Sequence, residues 1–277
     1  MSGFEFIWLF FLVIAVQPMI ARRALEWMRR NRIAQIEKTR GSRVIILIHR
    51  QETMSFLGFP LMRYIDMQDS EQVLRAIHMT DDNVPLDIIL HTPGGLVLAS
   101  VQIARAIRSH PAKVTVFVPH MAMSGGTLIA LAADEVVMCE HSVLGPVDPQ
   151  INHQPAASII KTVEDKPIAE VDDETLIHAD IARKAITQLQ ETVEKILPQS
   201  MAQSDKARLV EALTSGKWTH DYPILAEDAT AIGVQVSTAM PETILDLMTM
   251  YPQPKRLQPT VEFSPGPRER QPQEAGR

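Results

Sequence analysis

LDIILHTPGG, Leu86–Gly95, decides the fold: a short run that is apolar apart from Asp87 leads straight into a glycine turn. Pro93 presets that turn, and Gly94 and Gly95 free the backbone to take φ > 0 and let a ligand approach the N–H groups closely. The next segment, Leu96–Arg108, is amphipathic, with Val97, Val101, Ala104 and Ile107 along one stripe. The same strand–turn–helix order recurs in Val114–Val118 (VTVFV), the turn MAMSGGT (Met121–Thr127) and the segment Thr127–Ala133. That last segment is apolar all round, which predicts a helix buried on every side. Upstream, Val44–His49 reads as a strand, and Asp69–Met79 as a helix capped by Asp69 or Ser70, with Val73, Leu74 and Ile77 inward. Glu135–Cys139 and Ser142–Gly145 are short strands. Apolar strands alternating with helices indicate βαβ units and a parallel sheet covered on both faces, so the fold class is α/β.

Downstream of that unit, Gln150–Asp173 lacks periodicity and reads as a mobile loop. A long helix from about Glu174 to Leu197 follows, with Ala182, Ala185, Leu189, Val193 and Ile196 as its stripe. Asp205–Leu213 and Ile224–Ile232 are shorter helices, the second ended by Gly233.

The chain has 277 residues, 45% hydrophobic and 22% charged, enough for one large domain or two small ones. Its 27 basic and 33 acidic side chains leave a net charge of −6, which argues against a nucleic-acid binder. The single cysteine, Cys139, excludes an internal disulfide framework and a thiolate zinc cage, and suits a reducing compartment. The histidines show no metal-ligand spacing, and neither glycine turn is a dinucleotide or nucleotide-phosphate motif, so no metal and no cofactor is expected.

The two ends differ from the middle. FEFIWLFFLVIAVQPMIA (Phe4–Ala21) is unbroken apolar from Phe6 to Val16, near the lower length limit for a helix crossing a bilayer. A cleaved signal peptide would open with basic residues and end in a small-residue cleavage site; this start carries Glu5 and neither feature. Residues 1–21 are therefore expected to be a transmembrane anchor in contact with the lipid bilayer. Arg22, Arg23, Arg29, Arg30, Arg32, Lys38, Arg40 and Arg43 follow it. By the positive-inside rule the protein is expected to be single-pass, with a short N-terminus outside and the bulk of the chain cytoplasmic. Residues 22–43 read as a basic juxtamembrane helix, with Leu25, Trp27, Met28 and Ile33 on its apolar side. Residues 44–250 form the α/β domain, and 251–277, rich in proline from Pro252 to Pro272, a disordered tail.

The second glycine turn carries one hydroxyl, Ser124, at a helix N-terminus, where free N–H groups and the helix dipole favour negative charge. Such a serine can act as a nucleophile, with the amides of the first turn as oxyanion donors. Taken alone, each turn could equally be a tight βα connection.

In this order, and with SVLGPVDPQ (Ser142–Gln150) after them, the two turns resemble the ClpP/crotonase superfamily. Within it they are similar to membrane-bound serine peptidases of the signal-peptide-peptidase-A type, in particular the serine dehydrogenase proteinase branch. The similarity extends through about Val236. It implies a ClpP/crotonase-like fold of repeated βαβ units, Ser124 as nucleophile, and an oxyanion hole made by the amides of Gly95, with Gly94, and of Gly125. It also implies a lysine as general base at the start of the long helix, best matched by Lys184 in IARKAITQLQ. Docking against the Ser124 turn would have to supply the dry setting that makes a lysine a base. Lys166 and Lys161 in the loop are competing lysines. A histidine base, as in ClpP itself, would be His153 or His141, although the histidine position of ClpP falls here near Val147 or Asp148. Relatives form rings, so a homo-oligomeric ring acting on extended or unfolded protein segments is implied. Two other activities fit the same turns: a crotonase-type acyl-CoA enzyme using the amides for a thioester enolate, and a catalytically inactive scaffold.

Overall fold

Residues 3–49, 63–199 and 201–251 are described by the structure, a computed structural model; within its first helix the side chains of residues 3–15 and 18 lie outside that description. In chain order the elements are α1 (Gly3–Arg40), β1 (Arg43–Ile48), α2 (Met67–His78), β2 (Leu86–His91), α3 (Val97–Ser109), β3 (Val114–Val118), β4 (Met121–Ala122), α4 (Gly125–Leu131), β5 (Glu135–Met138) and β6 (Val143–Leu144). Then come β7 (Gln150–Ile151), β8 (Gln154–Pro155), α5 (Ala156–Glu164), α6 (Asp173–Ile196), α7 (Gln203–Thr214), α8 (Ala226–Ala231), β9 (Val236–Ser237) and α9 (Glu242–Thr249).

The apolar runs do what their composition demands. β1, β2, β3, β5 and β9 pair in that order, all parallel, with Arg43 opposite Leu86 and Ile48 opposite His91 in the first pair. Alternate residues point to opposite faces. Ile45, Leu47, Ile88, Leu90, Val116 and Val118 join the main core with α2, α3 and α4. Val44, Ile89, Phe117 and Val137 face the other way, onto Ile36 of α1 and Ile244, Leu247 and Met248 of α9. Because both faces are covered, β2 and β3 are buried along their whole length. All seven residues of α4 are buried, as its apolar circumference predicts.

Several boundaries differ from expectation. α2 starts earlier: its cap is Asp66, which accepts the Asp69 N–H while Asp69 accepts the Asp66 N–H, so Asp69 is the third helical residue, not the cap. The stretch expected as a loop, 150–173, holds the β7–β8 hairpin, α5 and a short 3₁₀ turn, Ile168–Glu170. α5 buries only Ala156 and Ile159, too few for a periodic signal. β9 and α9 were not anticipated either: two residues make no strand pattern, and α9 is recognisable only as the cover of a sheet face.

α1 runs unbroken through the expected anchor and the expected juxtamembrane helix. Its C-terminal half is tied to the α/β domain: Ile36 is buried, Arg40 forms a bidentate pair with buried Asp87, and Arg29 donates to Met250 O and stacks on Tyr251. Trp27 and Met28 are exposed in the single chain. Among the described residues no helix is long and apolar enough to cross a membrane, so the transmembrane expectation gains no support from the structure. The proline-rich tail from Pro252 lies outside the described residues.

Candidate active site

The sheet brings the two glycine turns side by side. Beyond β2, Thr92 donates its N–H to Met121 O at 3.1 Å and accepts the Met123 N–H at 3.0 Å. The chain leaving β2 therefore runs beside the chain leaving β3. Gly94 has φ 104°, in the region glycine alone enters freely, and a Cβ there would stand 2.9 Å from both Met123 O and Ser124 Cβ. A Cβ on Gly95 would fall 2.3 Å from the backbone N and O of Ile65. On Gly125 it would lie 2.2 Å from Ser100 Oγ and 3.7 Å from Gly95 N. All three glycines are needed for space, and the turns are in van der Waals contact.

Ser124 sits where β4 gives way to α4, with φ 50° and ψ −114°. A non-glycine residue in that conformation is strained, and strain of this kind is retained where the surroundings fix it, often at functional sites. Here Leu128 N–H donates to Ser124 O and Gly126 N–H to Met123 O. Thr127 Oγ1 lies 2.8 Å from both Ala122 O and Gly145 O, and accepts the Gly145 N–H. The Ser124 side chain caps nothing and is half-buried. No hydrogen bond among the described residues takes up its hydroxyl, the Gly95 N–H or the Gly125 N–H. A hydroxyl on one turn with uncommitted amides on both turns is an arrangement that can serve acyl transfer.

Gly94 plays another part than expected. Its N–H goes to Thr92 Oγ1 at 3.1 Å, so it is committed within the turn and offers nothing to an oxyanion. Thr92 Oγ1 in turn meets His49 Nδ1 at 3.0 Å, and His49 Nε2 meets Asp69 Oδ2 at 3.1 Å. Burial pushes the Asp69 carboxyl up, but hydrogen bonds from His49 and the Asp66 backbone outweigh it and hold the group below its usual value. An open cleft of about 870 Å³ beside this network is lined by His49, Tyr64, Asp66, Asp69, Gly95 and Leu96.

The expected bases stand elsewhere. Lys184 is on the outer face of α6, with its side chain 67% exposed and its ammonium 2.5 Å from Asp180, one turn away. No hydrogen bond links it to Ser124 in the single chain. Lys166 and Lys161 are exposed. His153 is exposed at the tip of the β7–β8 hairpin, where Asn152 and His153 both take positive φ, and His141 is exposed as well. His91, the last residue of β2, and His120, just past β3, stack on each other at 5.4 Å.

A pair the sequence does not reveal lies on the continuation of the serine turn. β4 pairs in parallel with β6, and Leu144 of β6 forms a bridge with Ile224. The chain beyond β6 leads to Asp148, 3% exposed, and the chain before Ile224 leads back to His220. His220 Nδ1 is 2.6 Å from Asp148 Oδ1, and Gln150 Nε2 is 2.6 Å from Asp148 Oδ2. The hydrogen bond to Asp148 raises the His220 pKa, burial opposing it. Seventy-two positions separate the two residues, so no local motif could have joined them. Among the described residues there is no group of three or more acidic, histidine or cysteine side chains able to hold a metal.

The whole chain, residues 1–277, matches the family of ClpP-like SDH-type serine proteinases. Two uncharacterized proteins of Methanocaldococcus jannaschii are 48% and 46% identical to it, over 94% and 96% of this chain and 91% and 90% of theirs. Among solved structures, a ClpP1 mutant from Listeria monocytogenes aligns with 76% of this chain and 99% of its own at 13% identity and a TM-score of 0.47. A mutant of the membrane-bound stomatin-specific protease 1510-N aligns with 66% and 79% at 20% identity and a TM-score of 0.45.

Proposed function

The chain belongs to the ClpP-like SDH-type serine proteinases and is a serine peptidase; from that premise we propose that Ser124 is its nucleophile and Gly95 and Gly125 its oxyanion donors. Ser124 Oγ attacks the scissile carbonyl, its proton passes to a base, and the two amides hold the oxyanion. The amine leaves with the proton, and water then releases the acyl-enzyme. The observation that carries this is the packing of the two turns: Gly94 against Ser124 Cβ, and Gly95 N beside Gly125. A fluorophosphonate label tests it. Labelling and peptide cleavage that vanish together in Ser124→Ala are expected; an equally labelled or active Ser124→Ala protein refutes it, and no labelling of a folded wild type would favour the scaffold or acyl-CoA reading.

For the base we propose Lys184, as the family resemblance implies. Ile177 and Ile181 lie two turns and one turn before it on α6 and are 59% and 44% exposed. A second copy covering that face in a homo-oligomeric ring would supply the burial that a basic lysine needs. A ring would also confine substrates to extended or unfolded segments. One observation favours a second reading, the His220–Asp148 pair: a histidine oriented by a buried carboxylate is a ready base without further desolvation. Lys184→Ala abolishing cleavage while His220→Gln retains it supports the dyad, and the reverse result supports the histidine.

We further propose that the start of α1 anchors the enzyme in a membrane with the α/β domain on the cytoplasmic side. Support comes from the apolar run Phe6–Val16, the basic residues after it, and Met19 and Ile20 left 58% and 63% exposed. Full-length protein recovered in an alkaline carbonate wash would refute the anchor.

A further inference from the structure

Behind the diglycine turn runs a buried hydrogen-bonded chain that the acyl-transfer steps do not use. His49 is 6% exposed where β1 ends, and its N–H donates to His91 O at 2.7 Å, fixing the ring beside the exit of β2. His49 Nε2 lies 3.1 Å from the Asp69 carboxylate, and His49 Nδ1 lies 3.0 Å from Thr92 Oγ1, whose hydroxyl also stands 3.3 Å from Gly94 O. Thr92 is fully buried, and its oxygen accepts the Gly94 N–H at 3.1 Å. Hydrogen bonds therefore link Gly94, Thr92, His49 and Asp69 in one chain, with the Gly94 N–H donating to Thr92 Oγ1. Each bond polarises the next.

The other side of the turn is held as firmly. Ile65 N–H donates to Gly94 O at 2.8 Å, and Leu96 N–H donates to Ile65 O at 2.8 Å. Gly94 O and the Gly95 N–H are opposite ends of one planar peptide group. Holding Gly94 by its N–H on one side and its carbonyl on the other thus fixes the direction in which Gly95 N–H points. Without the Thr92 hydroxyl, the buried Gly94 N–H would have to turn to find another acceptor.

We propose that Asp69, His49 and Thr92 are positioning residues that aim the Gly95 N–H at the oxyanion formed on Ser124. This rests on the assignment of Ser124 and Gly95 above. It assigns a role to a histidine that the sequence offered no reason to single out, on a strand that does not carry the nucleophile.

Thr92→Val keeps the shape of the side chain and removes the hydroxyl; Thr92→Ser keeps the hydroxyl. For peptide cleavage, Thr92→Val is expected to lower kcat roughly 10²-fold, the cost of an oxyanion donor moved out of line, with KM within about twofold. Thr92→Ser should stay within about fivefold of wild type, since it conserves the bond. If Thr92→Val does not fold, His49→Gln takes its place, with the same loss expected. The second readout needs no activity: glycine-selective ¹⁵N labelling, in which the Gly95 amide resonance should shift in Thr92→Val and stay in place in Thr92→Ser. Loss confined to KM, a Thr92→Ser variant as impaired as Thr92→Val, or an unmoved Gly95 resonance overturns the proposal. An inactive wild type would instead count against the Ser124 assignment, and the Gly95 resonance would still decide the relay.

Discussion

Replacing Gly125 with alanine asks whether the two turns pack as tightly as the structure has them. Gly125 opens α4 with an ordinary helical backbone, so an alanine costs nothing in conformation; only the space is contested. The new Cβ would stand 2.2 Å from Ser100 Oγ and 3.0 Å from Ser100 Cβ, well inside the ~3.5 Å at which such atoms rest. Ser100 is fully buried in α3, so its side chain cannot swing toward solvent; its hydroxyl has no hydrogen-bond partner among the described residues, and rotating it would leave Ser100 Cβ 3.0 Å from the new Cβ. Either α3 or the first turn of α4 must give way, at about 1–3 kcal/mol by analogy with overpacked cores. A shift of α4 carries Ser124 and the Gly125 N–H with it, and a displacement of this kind lowers kcat/KM by roughly 10²-fold. Ser100→Gly removes both clashing atoms at a helix cost of about 0.5 kcal/mol. The double variant should therefore be more stable than the single losses sum to, by at least ~1 kcal/mol, and should recover tenfold or more in kcat/KM. Thermal melts and peptide-cleavage kinetics on wild type, both single variants and the double variant measure this. A Gly125→Ala protein as active as wild type, or a double variant showing no coupling, would refute the packing on which the proposed oxyanion hole depends.

Other expectations follow from the charged groups. The His220 pKa is raised in the folded state, so between about 6.5, where an unfolded histidine titrates, and that raised value the native protein binds more protons than the unfolded chain. The histidine's stabilisation is complete below that window and is lost as pH rises through it. Melting temperatures should fall as pH rises above about 6.5, less steeply in His220→Gln; equal slopes would contradict the pairing. Arg40→Ala should cost about 2–4 kcal/mol, because it leaves the Asp87 carboxylate, 3% exposed, with only the Ser42 hydroxyl at 2.6 Å. The half-exposed arginine keeps the value below that of a fully buried pair. Adding Asp87→Asn should restore much of the loss in denaturant melts, and a neutral Arg40→Ala would show that α1 is not fastened to the sheet there.

What could be read from the chain alone was whatever local pattern dictates. Apolar runs too short for helices became parallel strands, because a run such as LDIIL buries itself on both faces only inside a covered sheet. The apolar circumference of Thr127–Ala133 required a helix with no solvent face. Gly94, Gly95 and the Ser124-Gly125-Gly126 turn were recognisable as places that need glycine's backbone freedom. Tertiary structure decided what depends on residues distant in sequence. It committed the Gly94 amide to Thr92 and brought His49, just past β1, and Asp69 of α2 behind the turn. It joined Asp148 to His220, and it left Lys184 on an exposed helix face beside Asp180. The physical reason is range. Backbone conformation and burial periodicity are set within a few residues, whereas the partner of a polar side chain is set by which strands the sheet places next to one another.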